Sequence, residues 1–510
     1  MIRTAIALLL LAALLPASYL ARLDIAPAER PAFLAEGIPV YGDFGTSLVL
    51  PLTEGQLVSL QARGWRVEVL DANPSGDDYF LIHKTGTGSS SFPGNVLWEN
   101  DRVRLIRMPE LAAREFKAAG AGITQLRLVP RRLCSTRVRL PLSRYSADTT
   151  VARLVSLVSQ DSLARTIQEL ENFGTRYSYN IKCESAAFYL GQGLIDLGYS
   201  VRLDTYYLAA PTTRAFNVEA TLAGQVVPES ILVACGHFDS YNGSNQNDAP
   251  GADDNATGTA AVLELARVLK QAGFRWSVKF LCFSGEEQWM KGSYHWVDST
   301  AVPESLKIAG AYNLDMFGFA AYDTNLVFIN TNTASRPLAD LCDSTNNWYS
   351  IGLRVMNYLD EDIYGDNTPF WEAGYLSVFA LEDSEYGIWG GSNPNYHTGG
   401  DTFGTLTMSL VARTTRMAAA CLATLAGPVD SVGLETSPDP RAPDLRSGPT
   451  IIRSVLYVKE GGSSVPHLLL DAAGRRVQVL KRGPNDVSRL APGIYFIATD
   501  KGLRRVVRTR

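Results

Sequence analysis

The sequence predicts an α/β protein whose mostly parallel central sheet is flanked by helices, with an N-terminal α+β domain and a small C-terminal β-sandwich. Three observations lead there. Between residues 149 and 425, long amphipathic helical stretches alternate with short Val/Ile/Leu-rich runs, the texture of a sheet built from β-α-β units. The 510 residues exceed what one ordinary core holds, and with 46% hydrophobic and 19% charged residues the chain has the balance of a folded protein. Finally, the Pro-rich stretch DSVGLETSPDPRAPDLRSGPT separates the main body from a tail of short strands. The expected organisation is a signal peptide over 1–21, an N-terminal domain over 22–145, a main domain over 149–428, a linker over 429–450 and a sandwich over 451–510.

Each element has a local cause. One Arg precedes an apolar run from Ala5 to Leu15, followed by Pro16, Ala17 and Ser18. That run suits an export signal and is short for a membrane span, so secretion or cell-surface display is expected, with no stable span after signal removal. Residues 46–70 and 103–129 then follow one plan: strand, helix, glycine turn, strand. In the first copy Thr53 and Gln56 have capping-box spacing and Gly64 ends the helix; in the second Pro109 suits a first helical turn and Gly120 ends it. Such a domain serves either as a prosegment or as a structural appendage, and no chemistry is legible in it. In the main domain, helices are expected at Ser162–Asn172, Ser185–Leu197 and Gly258–Gln271, and strands at 201–207, 231–236 and 278–284. In the tail, runs at 455–458, 468–470, 477–479 and 494–497 are separated by Gly, Pro or Asn turns.

Charge excludes one class of partner. Forty-seven basic and 52 acidic residues leave a formal charge of -5, which offers no field for a polyanion, so nucleic acid is not expected. From Asp471 onward ten Lys/Arg face three Asp, which reads either as a solvated surface or as an export or attachment signal. Of the six cysteines, Cys235 and Cys282 lie in strand-like apolar runs and are expected as reduced core residues.

Chemistry concentrates at the ends of the expected strands. The run 231–236 leads into His237-Phe238-Asp239, the next into Glu286-Glu287, and Ala311-Tyr312-Asn313-Leu314 into Asp315. Open α/β sheets place their sites at such carboxyl ends. Asp253 and Asp254 sit in a polar loop before an apolar helix, more acid than a helix cap needs, and His397 lies in a loop rich in Gly, Pro and Asn. Two imidazoles with several carboxylates favour zinc over calcium or magnesium, and the ligand count fits two ions. In the pair Glu286-Glu287 one acid can hold metal while its neighbour moves a proton. Phe238, Tyr241, Trp289, Tyr364, Trp371, Tyr386 and Trp389 flank these motifs as core or as walls of an apolar pocket. His83, His295 and His467 lie outside them and read as structural.

In that order, GHFDS, GADDNATG, SGEEQWMKGS, NLDM and YHTGGDT resemble the two-zinc aminopeptidase family, metallopeptidase family twenty-eight, over roughly residues 150–425. Asn172-Phe173-Gly174-Thr175-Arg176 is also similar to a segment of that family. The resemblance implies a zinc-exopeptidase fold and two Zn2+. By position, Asp253 would bridge them, His237 and Asp315 would complete one site, and Glu287 and His397 the other. Glu286 would be the general base, Asp239 would orient the His237 ring, Tyr396 would hydrogen-bond the oxyanion, and Asp254 would follow the bridge. One departure stands out: relatives often read Ser-Asp-His before Pro-Phe, where this chain has Gly365-Asp366-Asn367-Thr368-Pro369-Phe370. The tail, with GRRV, LAPGIYFI and a basic end, resembles the carboxyl-terminal sorting domain of the type IX secretion pathway, which implies secretion machinery as a partner.

The resulting expectation is an exported zinc-dependent aminopeptidase that removes N-terminal residues from peptide substrates through a metal-activated hydroxide, with Glu286 as base. A carboxypeptidase or glutaminyl cyclase on the same fold, and a catalytically silent adhesion or receptor-like protein, are the alternatives.

Overall fold

The computed structural model describes residues 19–508 except 27, 31–32, 34–35, 45, 75–77, 84–93, 101–102, 119–122, 128–144, 210–212, 321–322, 360–364, 383–392, 430–449, 453–454, 459–466, 472–475, 482, 488, 492 and 500–501. The expected signal peptide up to residue 18, most of the linker, and Tyr364, Tyr386 and Trp389 therefore lie outside the described residues. The chain forms two compact units, Met1–Ser135 with Glu372–Gly374, and Thr136–Trp371 with Tyr375–Arg510.

In the first unit the repeated plan is present twice. Strand Ser47–Leu52, helix Glu54–Ala62 and strand Val67–Asp71 belong to one four-stranded sheet; strand Val103–Arg107, helix Glu110–Ala118 and strand Ile123–Gln125 belong to another. The Thr53 hydroxyl accepts from the Gln56 amide while the Gln56 side chain takes the Thr53 amide, the reciprocal cap its spacing predicts. One strand spans the expected boundary at residue 22. Tyr19–Asp24 is an inner strand, paired on one side with Ser47–Leu52 and on the other with Val67–Asp71, and Leu20, Ala21 and Leu23 are fully buried. A domain starting at residue 22 would cut that strand in two.

The second unit opens with helices α1 (Thr149–Ser156), α2 (Gln160–Glu171) and α3 (Ile181–Asp196), whose starts are capped by Asp148, Ser159 and Asn180. Strands β1 (Val201–Ala209), β2 (Thr213–Leu222) and β3 (Val227–His237) follow. Next come α4 (Gly258–Leu269), β4 (Trp276–Phe283), α5 (Lys291–Trp296), β5 (Lys307–Leu314) and β6 (Leu326–Thr331). The domain closes with α6 (Arg336–Trp348), β7 (Arg354–Leu359), β8 (Ser377–Leu381) and α7 (Met408–Ala426). The sheet runs β7-β6-β8-β5-β3-β4-β2-β1. Its middle, β8-β5-β3-β4, is parallel, but β6 joins β8 antiparallel, and β1 and β2 form an antiparallel flank. The sheet is thus mixed, with the expected parallel pairing concentrated in its centre. There the strands are covered on both faces and read as continuous apolar runs; Ile231 to His237 is buried throughout. Helix α4 is buried except at Arg267, and it lies close because its first residue is glycine: a Cβ on Gly258 would stand 1.8 Å from the Leu314 carbonyl.

After β3 the chain crosses to β4 on one side, and then to β5 on the other. This reversal leaves a crevice at the carboxyl ends of β3 and β5. Register aligns the ends: His237 pairs with Phe283 and Cys235 with Asn313, so Asp315 emerges level with His237.

The tail folds as a five-stranded sheet and a two-stranded one. Leu469, Leu480, Tyr495, Ile497 and Val506 form its own core, while the cross-strand pair Leu470 and Phe496, on the other face, joins the main core of the central sheet.

Candidate metal centre

The two histidines are held within the described site by acids on either side. His237, 1% exposed, presents Nε2 at 3.2 Å from Asp254 Oδ1 and 3.3 Å from Asp315 Oδ1. His397 presents Nε2 at 3.2 Å from Asp254 Oδ2 and 3.0 Å from Glu287 Oε1. Asp254 therefore stands between the imidazoles, one oxygen toward each. Two ligand-competent groups result, His237/Asp254/Asp315 and Asp254/Glu287/His397, sharing that carboxylate.

The carboxylate common to both groups is Asp254, one residue on from Asp253, the expected bridge. Asp401 accepts the amides of Asp253 (2.8 Å) and Asp254 (3.0 Å), pinning the turn that opens at Gly251. From this turn the Asp253 carboxylate reaches Gly318 N at 2.8 Å and Asn393 Nδ2 at 2.9 Å, and takes no place in either group. Its next neighbour points the other way, into the space between the rings. The backbone at Asp254 and Asn255 is non-helical, and the peptide joining them is cis. Asn255 locks the turn by donating to Leu314 O and accepting from Gly258 N.

Asp239 Oδ1 is 3.4 Å from His237 Nδ1, and the Asp239 carboxylate accepts the Ser178 hydroxyl and the amides of Glu286 and Glu287. One fully buried acid thus steadies the imidazole and the carboxylate loop together. Glu286, with a side chain 13% exposed, brings Oε2 to 4.0 Å from His237 Nε2. The Tyr396 ring stacks on His397 with centroids 3.8 Å apart, and Tyr241 meets the same imidazole edge-on at 5.0 Å. Burial, with Asp254 and Glu287 nearby, pushes the Tyr396 hydroxyl well above its usual range, so it stays a neutral donor. Of the other flanking aromatics, Phe238 is fully buried in the main core, and Trp371 donates Nε1 to Ser377 O.

Two groups without an assigned role from sequence support these loops. The guanidinium of Arg176 is fully buried and donates to the carbonyls of Leu170, Phe238, Pro250 and Gly251, tying the end of β3 to the acidic turn. Asp401 belongs to YHTGGDT, but only the fold shows which amides it accepts. The sequence signals available were an Arg after Gly-Thr and an acid after two glycines, neither of which names a partner.

The electrostatics suit cations. Burial disfavours a charged His237, yet Asp315, Asp239 and Asp254 outweigh it and hold its pKa well above the ordinary value; in the same way Glu287 and Asp254 raise His397 to about 9. Burial raises Asp315 to about 6, whereas for Asp254 the two imidazoles overcome burial and lower the carboxyl strongly. Asp254, Asp315, Glu286 and Glu287 crowd against two rings. Mixed nitrogen and oxygen donors sharing one carboxylate are a donor set that fits zinc.

Residues 217–422 match the family profile described as Peptidase family M28. A protein of Phaeosphaeria nodorum described as a probable zinc metalloprotease is 28% identical over 309 residues, 48% of this chain and 62% of the relative. Aminopeptidase YwaD of Bacillus subtilis is 32% identical over 186 residues, 34% of this chain and 36% of its own. The chain thus spans less than two thirds of either relative. The LapA aminopeptidase of Legionella pneumophila aligns with a TM-score of 0.55 at 17% identity, over 70% of this chain and 100% of that one, a likeness of fold. Residues 217–422 of the central domain are thus similar to that family.

Proposed function

We propose that the protein is an exported, two-zinc aminopeptidase that hydrolyses the bond after the first residue of a peptide. The observation that carries this reading is Asp254 standing between His237 and His397, with Asp315 and Glu287 beside them. His237, Asp254 and Asp315 would hold one Zn2+, and Asp254, Glu287 and His397 the other. Zinc, when bound, supplies Lewis acidity that polarises the scissile carbonyl and makes water acidic enough to attack near neutral pH. Glu286 accepts the proton of the attacking water and returns it to the leaving amine. Asp239 keeps the His237 ring in place, and the Tyr396 hydroxyl donates to the developing oxyanion. Relatives described as zinc metalloprotease and aminopeptidase support the class of reaction. Export rests on the apolar leader, and delivery through a secretion machinery on the likeness of the basic tail to a sorting domain.

The test is an assay on Glu286→Gln with unblocked and N-acetylated peptides. The variant should lose about 10²- to 10⁴-fold in kcat while elemental analysis finds its zinc unchanged. The parent should cleave only the unblocked peptide; equal cleavage of both would reject an aminopeptidase, and wild-type turnover in the variant would reject Glu286 as base.

A further inference from the structure

Cys342, in the middle of α6, and Cys421, near the end of α7, bring their Sγ atoms to 3.6 Å, and both side chains are fully buried. At that distance two sulfurs touch without bonding. A disulfide needs about 2.05 Å, so the two sulfurs would have to approach by roughly 1.5 Å. Both residues belong to the main apolar core with Leu338, Leu341, Leu422 and Leu425, and the Thr345 hydroxyl lies 3.1 Å from Cys421 Sγ. Cys183, Cys235 and Cys282 are also buried thiols, and Cys134 lies outside the described residues.

We infer that Cys342 and Cys421 are a disulfide-forming pair that ties α6 to α7 when the chain folds in the presence of a disulfide oxidant. The hydrogen bond from Cys421, together with burial, raises the Cys342 thiol well above its ordinary value. Both thiols are buried, so the closed core keeps an oxidant out and the bond forms while the two helices are docking. One of the two cysteines, as thiolate, attacks one sulfur of the oxidant's disulfide and expels a thiolate. The other, losing its proton, then attacks the mixed disulfide and expels the second. Two thiols become one S–S bond, and the oxidant, a protein dithiol–disulfide carrier or oxidised glutathione, takes up two electrons and two protons. The inference is independent of the peptidase reading, since activity is not its readout.

The test uses the full chain secreted into an oxidising compartment, unfolded without reductant in excess alkylating agent, digested and mapped by mass spectrometry. The peptides carrying Cys342 and Cys421 should appear as one linked species, two hydrogens lighter than their sum, with Cys183, Cys235 and Cys282 alkylated. Alkylation of both Cys342 and Cys421, or linkage of either to another cysteine, would overturn the inference. As an independent measurement, the bond closes a loop with the cysteines 79 positions apart, so reduction should lower the thermal midpoint by roughly 5–10 °C. In the Cys342→Ala/Cys421→Ala variant the midpoint should ignore reductant. A parent equally indifferent to reductant would also refute it.

Discussion

Asp253 and Asp254 are chemically alike neighbours, and the path of one peptide unit decides which faces the imidazoles. Residue chemistry alone could assign either as the bridge, because the phase of an irregular loop is not periodic as a helix or strand is. If the centre holds two zinc ions as proposed, Asp254→Asn is therefore expected to strip both by elemental analysis. Asp253→Asn should keep them and lose about 1–3 kcal/mol of stability, as its amide would face Asn393 Nδ2 or Gly318 N with a donor. Zinc lost only from the Asp253 variant would reverse the assignment. A second prediction concerns Asp366, in the segment that departs from the family pattern. Burial raises its folded pKa to about 7, against the partial opposition of His237 and Ser293. The unfolded value is about 3.9. A raised carboxyl contributes its stability in full below about pH 4 and loses it as pH rises through about 7, by up to about 4 kcal/mol. Urea unfolding at pH 4.5 and pH 8 should thus show Asp366→Asn gaining on the parent as pH rises; parallel curves would count against a buried, titrating Asp366.

At the scale of elements, strands and helices were largely legible. The expected helix 258–271 is α4, 258–269, and the expected strand 278–284 is β4, Trp276–Phe283. Apolar period and caps fix such elements locally. The first strand was not legible, because Tyr19–Asp24 follows an apolar leader and its partners lie more than twenty residues on. If a signal peptide is removed, the cut should fall at or before Ser18, which leaves the inner strand whole. Amino-terminal sequencing of secreted protein checks this, and a mature chain starting at residue 22 would contradict the role given to that strand.

For the whole molecule, the tail bears on stability as well as on any sorting role. Leu470 and Phe496 leave their own sheet's core and join that of the central domain. Truncation after residue 429 should expose that apolar contact, lower the thermal midpoint by several degrees and increase binding of a hydrophobic dye. A midpoint unchanged by truncation would mean that the tail merely hangs from the linker. Among the described residues no helix is long and apolar enough to cross a membrane.

By itself the sequence determined the kinds of donor, their order, and their position at the ends of three apolar strands, because side-chain chemistry and strand period are local properties. It also named His237, Glu287, Asp315 and His397, which stand in the two groups that could hold a metal. Only the tertiary structure decided that Asp254 stands between the imidazoles, that Arg176 and Asp401 brace the loops, and that two sulfurs 79 positions apart touch. Each of these depends on where distant backbone segments meet, and no spacing along one chain encodes that distance.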